Sequence, residues 1–300
     1  MSHAHALEHS ALLYERPEEL VGAAVPFLRS GLERGEAPCA VLPPQRQADV
    51  RDALGDAADD VEFHAPEEWY DTPARRLAHL TEAVGRGRPF RAVGELAFSG
   101  RGLTAGEAVR EWGRFEAILT GAFAHAKARL LCPYDTSRLP AAVVENARRT
   151  HPHLHGQYGA NRDFDAAFIG ALDGSLPPVP EDAAGLSFDE RPGPAREFVT
   201  AHAESAGITG RKLEDLRLAA SELATNAITH GRPPRSISAW VRDGRFSCEV
   251  RDGGRGIESA YAGFLVPALA APNGRGIWIA RQVCDLVEVE GSRVRVHMAL

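Results

Sequence analysis

ELATNAITHG, residues 222–231, decides how this chain is read. It ends an alanine-rich run that starts near Arg211 and stops before Pro233 and Pro234. Leu213, Leu216, Ala220, Leu223 and Ala227 recur every three or four positions, the spacing of one buried helix face. Glu222 and Asn226 each stand one residue before a core position, about 100° around the helix. A carboxylate and a carboxamide therefore share the margin of that face, one turn apart. His230 continues the row as a capping or packing residue, and Gly231 is placed to close the helix in a left-handed cap. An isolated Glu-x-x-x-Asn pair is ordinarily solvated surface. The neighbouring segments change that reading.

VRDGGRGIE, residues 250–258, puts Asp252 at the end of a strand-like run, followed by Gly253, Gly254 and Gly256. Glycines there let backbone approach a ligand closely, and the acid can accept a hydrogen bond from an exocyclic amine. NGRGIWIARQV, residues 273–283, sets Gly274 and Gly276 at the opening of a helix, where unpaired N–H groups favour phosphate. Either glycine pair alone is weak, because turns and helix entries also use glycine.

In this order the three stretches resemble the N, G1 and G2 boxes of the GHKL ATPase superfamily, and more narrowly the anti-sigma factor serine/threonine kinases of the RsbW/SpoIIAB-like group. The resemblance covers residues 187–300 and implies a two-layer α+β sandwich of the Bergerat type. It implies ATP or ADP with Mg²⁺ as cofactor. Asn226 would hold the Mg²⁺, and Glu222 would orient or deprotonate the attacking hydroxyl. Asp252 would read the adenine amine, Gly254 and Gly256 would admit the base, and Gly274, Arg275 and Gly276 would flank the phosphates. The intervening lid segment, IESAYAGFLVPALAAPN, departs from the pattern: it has no Lys or Arg for a γ-phosphate, which leaves Arg255 and Arg275 as substitutes. Nucleotide binding is accordingly better supported than phosphoryl transfer.

Local pattern agrees with that sandwich. PAREFVTAHAESAG reads as a helix ending at Gly207, and two alternating runs flank Asp243-Gly244, a hairpin signal. GIWIARQVCDLVEVEG reads as a helix running into a strand, and SRVRVHMAL as a terminal strand. Upstream, LDGSLPPVPEDAAG has linker composition, which divides the chain into 1–171, a linker 172–186, and 187–300.

In the first part, helical and strand-like runs alternate from residue 18 to 135, starting with the helix EELVGAAVPFLRSGLERGE at 18–36 and the strand PCAVLPP at 38–44, which predicts an α/β domain on a largely parallel sheet. The N-terminal 37-residue stretch EHSALLYERPEELVGAAVPFLRSGLERGEAPCAVLPP, with LCPYDTSRLP and HPHL, resembles the MEDS sensory domain over about residues 8–170. That resemblance implies a RecA-like three-layer fold and a small-molecule ligand. The turn LPPQRQ after the strand at 38–44 lacks G-x-x-x-x-G-K-[ST], so ATP hydrolysis is not expected of this part. His3, His5 and His9 form one histidine group, His151, His153 and His155 another, with Cys132 near a strand end. Pro152 interrupts the second group and the first stands in a terminus expected to fray, so hydrogen-bonded or solvated roles are expected rather than a metal site. Glu95 and Trp112 are expected to be structural, and Glu67 and Glu68 to lie in an exposed loop before Trp69-Tyr70.

Composition bounds the alternatives. The net charge of -7 and the lack of a Lys/Arg-rich block argue against direct nucleic acid or anionic membrane binding. Four scattered cysteines, no apolar run of membrane-spanning length and no signal-peptide pattern lead to a cytoplasmic expectation. The kinase reading implies two partners, a sigma factor and a STAS-type anti-sigma antagonist phosphorylated on Ser or Thr, and homodimerisation stays open. A non-enzymatic nucleotide-binding or docking module is the rival. A sensor histidine kinase is disfavoured because the helix carrying His202 lacks the usual acidic neighbour.

Overall fold

A computed structural model describes residues 7–85, 89–98, 102–172, 174–265 and 275–300. The chain packs as two compact units, Met1–Ser99 with Ala105–Leu172, and Gly100–Thr104 with Asp173–Leu300.

The first unit runs β1 (Glu8–Tyr14), α1 (Pro17–Glu33), β2 (Ala37–Val41), α2 (Pro44–Leu54), a 3₁₀ turn (Gly55–Asp60), β3 (Glu62–His64), α3 (Pro66–Trp69), α4 (Pro73–Gly85), β4 (Phe90–Gly94), α5 (Ala105–Ala122), β5 (Ala128–Asp135), α6 (Ala141–Thr150), β6 (His153–Leu154) and α7 (Phe168–Ala171). Its six strands lie in the order β3-β2-β4-β5-β1-β6, and every neighbouring pair is parallel. Parallel neighbours need a crossover between them, which is why helices alternate with strands along the sequence. Leu12, Ala40, Val93 and Leu131 cluster with Leu20, Ala24 and Leu28 of α1 and Val50 of α2. Alternate residues turn to the opposite face, where His9 of β1 meets Thr120 of α5.

β1 and α6 are among the elements of this unit that were not expected. β1 carries a fully buried histidine at its second position, which hides the apolar alternation of EHSALLY. The strand at 37–41 is therefore the second, and the turn after the first is Glu15-Arg16, leading into α1. Pro17 opens that helix, and the Glu19 carboxylate accepts the Glu15 N–H at 2.9 Å and the Arg16 N–H at 3.2 Å. The place of a phosphate loop is taken by a carboxylate-capped turn. α6 has a polar sequence and is held by few buried residues, Val143, Ala147 and Thr150.

The second unit comprises β7 (Ala184–Ser187), α8 (Gly193–Ser205), α9 (Gly210–Thr229), β8 (Ser236–Arg242), β9 (Arg245–Arg251), α10 (Arg275–Val283), β10 (Leu286–Glu290) and β11 (Arg293–Ala299). Its sheet is antiparallel, in the order β10-β11-β9-β8-β7. Asp243 at φ 52 and Gly244 at φ 71 make the β8–β9 hairpin turn, the positive pair that matches strand twist. α9 packs between α8 and α10 and lays Leu216, Ala220, Leu223 and Ala227 on Ile237, Cys248, Val250 and Val296. Alanines on that stripe let the helix lie close to the sheet. Leu213 is only partly buried at its edge.

The other sheet face is polar. Glu249 accepts from Arg293 at 3.0 Å and from Arg295 at 2.7 Å, and His297 contacts Ser247 and Glu288. Residues 176 and 177 cover it: Arg295 donates to the Pro177 carbonyl, Arg293 donates to those of Leu176 and Pro177, and the Leu176 N–H reaches Glu290. The segment read as linker is thus docked, and its end forms the edge strand β7. Four residues with a glycine among them gave too little pattern to show that strand.

Candidate functional site

Behind α9, the α10 face and the ends of β9 and β11, a cavity of about 330 Å³ opens in the second unit. Asn226, Ala227, His230 and Gly231 line it from α9 and its cap, Asp252 and Gly256 from the segment after β9, and Ile277 from α10. Three stretches of chain, separated by about 25 residues each, therefore converge there because α9 lies across the sheet.

The Asp252 carboxylate is fixed by its neighbour: Oδ1 accepts the Gly254 N–H at 2.6 Å. Gly254 itself is outside the lining, and its role is to hold Asp252. Gly256 adopts φ +84, and a Cβ there would collide with the backbone of Gly291 and Ser292. The following Ile257 N–H donates to the Gly291 carbonyl at 2.8 Å, which anchors the glycine run to the β10–β11 turn. Gly276 sits directly against the Asn226 carboxamide, and a side chain there would occupy the same space. The α10 entry and the α9 asparagine are thereby brought into contact, a pairing that no local pattern announces.

Glu222 is half-buried one turn before Asn226 and is not among the cavity-lining residues. Arg275 is exposed at the first position of α10, and Gly274 falls outside the described residues. Of the segment between the glycine boxes, residues 257–265 are described. Arg281 of α10 fastens it, donating to the Ala262 carbonyl at 3.0 Å and stacking 3.7 Å over the Phe264 ring.

Gly231 corrects an expectation. It is not in the left-handed region, since α9 ends at His230 with φ -113 and ψ -24. The Arg235 guanidinium satisfies the helix end instead, donating to the Ala227 carbonyl at 2.9 Å. Gly231 is glycine because a Cβ would run into the Asp252 carboxylate and the Ala227 carbonyl. Gly231→Ala is expected to cost about 1–3 kcal/mol, as overpacking does. A differential-scanning melt should show the loss, and an unchanged melting temperature would mean that the contact is not close in solution.

In the first unit, His153 and His155 are exposed, while His9, His151 and Cys132 are buried. His3 and His5 lie outside the described residues. His9 belongs to β1 rather than to a frayed end, because β5 and β6 pair with that strand on both sides. Burial, with His151 nearby and against the pull of Glu116, holds His9 down at about 4. Burial and the Glu116 charge push the Cys132 thiol up. Glu116 escaped the sequence reading because it sits mid-helix among residues that pass for surface. Glu95 accepts the Tyr14 hydroxyl at 3.3 Å, Trp112 is fully buried against Phe115, and Glu67 and Glu68 are exposed, on the short helix α3 opened by Pro66 rather than in a loop.

Residues 8–152 match the family described as MEDS, the MEthanogen/methylotroph, DcmR Sensory domain, and residues 189–300 match the Histidine kinase-like ATPase domain. No curated protein matches the chain. One similar solved structure holds the RsbU and RsbW domains of Rv1364c from Mycobacterium tuberculosis, at 16% identity and a TM-score of 0.28, over 40% of this chain and 32% of that one. The chain thus spans about a third of that relative. Another is the histidine kinase domain of the blue-light activated histidine kinase EL346 from Erythrobacter litoralis, at 14% identity and a TM-score of 0.25, over 76% of this chain and 92% of that one. Likenesses this loose transfer no residue roles. No helix among the described residues is long and apolar enough to cross a membrane. The two family matches fall one on each sheet: the unit with the parallel sheet is similar to the MEDS domain, and the unit with the antiparallel sheet to the Histidine kinase-like ATPase domain.

Proposed function

We propose that the second unit binds ATP or ADP with Mg²⁺ and acts as an anti-sigma-type protein serine/threonine kinase under control of the first. The observation that carries the nucleotide reading is the convergence of Asn226, Asp252 and Gly256 on one cavity. Its volume of about 330 Å³ suits a small-molecule site. Asp252, with one oxygen fixed by Gly254, presents an acceptor for an adenine amine. Asn226 offers a carboxamide oxygen, a ligand type that Mg²⁺ accepts beside phosphates and water. Bound there, Mg²⁺ would neutralise phosphate charge.

In this reading the partners are a sigma factor and a STAS-type antagonist that receives the phosphate on Ser or Thr. A small molecule held by the MEDS unit would act by favouring one arrangement of the protein over another. A cytoplasmic setting fits those partners. The division 1–171, 172–186 and 187–300 is the working one for expressing variants, with the docked residues 176 and 177 kept on the second unit.

Calorimetric titration of the full chain with ATP and ADP, with and without Mg²⁺, tests the proposal. Magnesium-dependent binding is expected, weakened about 10- to 100-fold in Asn226→Ala, the size of one charge-assisted contact. No binding at millimolar nucleotide would overturn it. One observation favours a second reading: Glu222 stands off the cavity and no basic residue occurs between 257 and 274. A non-catalytic module that holds nucleotide and docks a partner would bind ATP without transferring phosphate.

A further inference from the structure

The first unit holds a second cluster of reactive side chains. His9 of β1, Glu116 of α5, Cys132 of β5 and His151 just after α6 are all buried, and their ligating atoms lie within 4.8 Å of one another. His9 Nε2 is 2.9 Å from Glu116 Oε2, His151 Nε2 is 3.3 Å from the same oxygen, and Cys132 Sγ is 3.4 Å from His9 Nε2.

The outer hydrogen bonds assign the ring protons. Thr120 Oγ1 donates to the Thr150 carbonyl, so it accepts from His9 Nδ1 at 2.9 Å. His151 Nδ1 is 2.9 Å from the Ala147 carbonyl, which can only accept. Each ring therefore carries a proton on Nδ1, and in its neutral form turns a bare Nε2 lone pair inward. Those two lone pairs face a carboxylate, a third acceptor, with one thiol as the sole donor of the four. Among the described residues, His151 Nε2 and Glu116 Oε1 have no hydrogen-bond partner. Leaving such groups unsatisfied in a buried site is costly.

We propose that His9, Glu116, Cys132 and His151 bind one divalent transition-metal ion of the zinc class. Four ligands at zinc bond lengths stand about 3.3–3.8 Å apart at the corners of a tetrahedron. Here the His151–Glu116 distance of 3.3 Å and the Cys132–His9 distance of 3.4 Å fall in that range, and the His9–Glu116 distance of 2.9 Å lies below it. Two neutral imidazoles, one carboxylate and one thiolate balance a dication, so the buried site would be neutral. Each imidazole also has the outer partner on Nδ1 that metal-bound histidines usually have. Since all four positions come from protein, the site is closed. It ties the strand pair β1–β5 to α5 and to the end of α6. Binding releases the thiol proton to solvent as the thiolate coordinates.

Tag-free full-length protein, purified without chelator, should contain one zinc per chain by elemental analysis. The metal-depleted protein should bind one Co²⁺, with a thiolate-to-cobalt charge-transfer band and d–d bands of tetrahedral strength, both removed by Zn²⁺. Cys132→Ser should lose the charge-transfer band. If that variant does not fold, replacing Cys39, Cys248 and Cys284 by Ala leaves Cys132 as the only cysteine, and the band should persist. Folded wild type that neither retains zinc nor gives the band with Co²⁺ would overturn the site. So would a band that survives Cys132→Ser or is absent from the folded single-cysteine variant.

Discussion

In the kinase reading proposed above, Glu222→Gln is expected to lower phosphate transfer to a protein serine or threonine by about 10²- to 10⁴-fold, the usual worth of a general base. Nucleotide affinity should change by no more than a few-fold. The two effects separate because Glu222 and Asn226 sit one turn apart on α9 but only Asn226 lines the cavity. Glutamine keeps the size of the side chain and loses its capacity to take a proton. The measurement is transfer from γ-labelled ATP to an antagonist protein, alongside calorimetry on the same preparation. Wild-type protein that binds nucleotide but transfers nothing would establish the docking reading. Transfer unaffected in Glu222→Gln would remove Glu222 from the chemistry and leave the nucleotide site standing.

The polar face of the second sheet supplies the other large effect. Glu249 is 3% exposed and receives both Arg293 and Arg295, the latter 4% exposed. Glu249→Ala leaves Arg295 buried with its carboxylate gone, a change that costs about 3–5 kcal/mol. For a unit of this size the thermal transition should fall by roughly 10–20 °C. Glu249→Gln, which keeps an acceptor, should fall less. Scanning calorimetry of the full chain reads this as a downward shift of the transition that unfolds the second sheet. A loss under about 1 kcal/mol in the alanine variant would show that the arginines reach water and the network is a surface one.

Much of the second unit was legible because its signals are local. The three- and four-residue spacing along α9 sets its buried stripe, and Asp243-Gly244 sets the hairpin. Asp252 followed by glycines marks the wall of a cavity that the fold does build. What the glycines do there was less legible. Gly276 meets Asn226 and Gly231 meets Asp252 only once α9 and α10 lie across the sheet. Those contacts join residues far apart in sequence, so neither spacing nor propensity encodes them.

The first unit shows the same division more sharply. Alternating helix and strand patterns determined a parallel α/β sheet, because each parallel pairing demands its own crossover. The sequence by itself also determined that no phosphate-loop glycines or lysine occur there. It could not place His9 in a buried strand, because burial of an imidazole depends on Thr120 and Glu116, more than 100 residues away. Only the tertiary structure decided that His9, Glu116, Cys132 and His151 share one buried point. Polar side chains read as solvated until packing removes the water, and packing is a property of the whole chain.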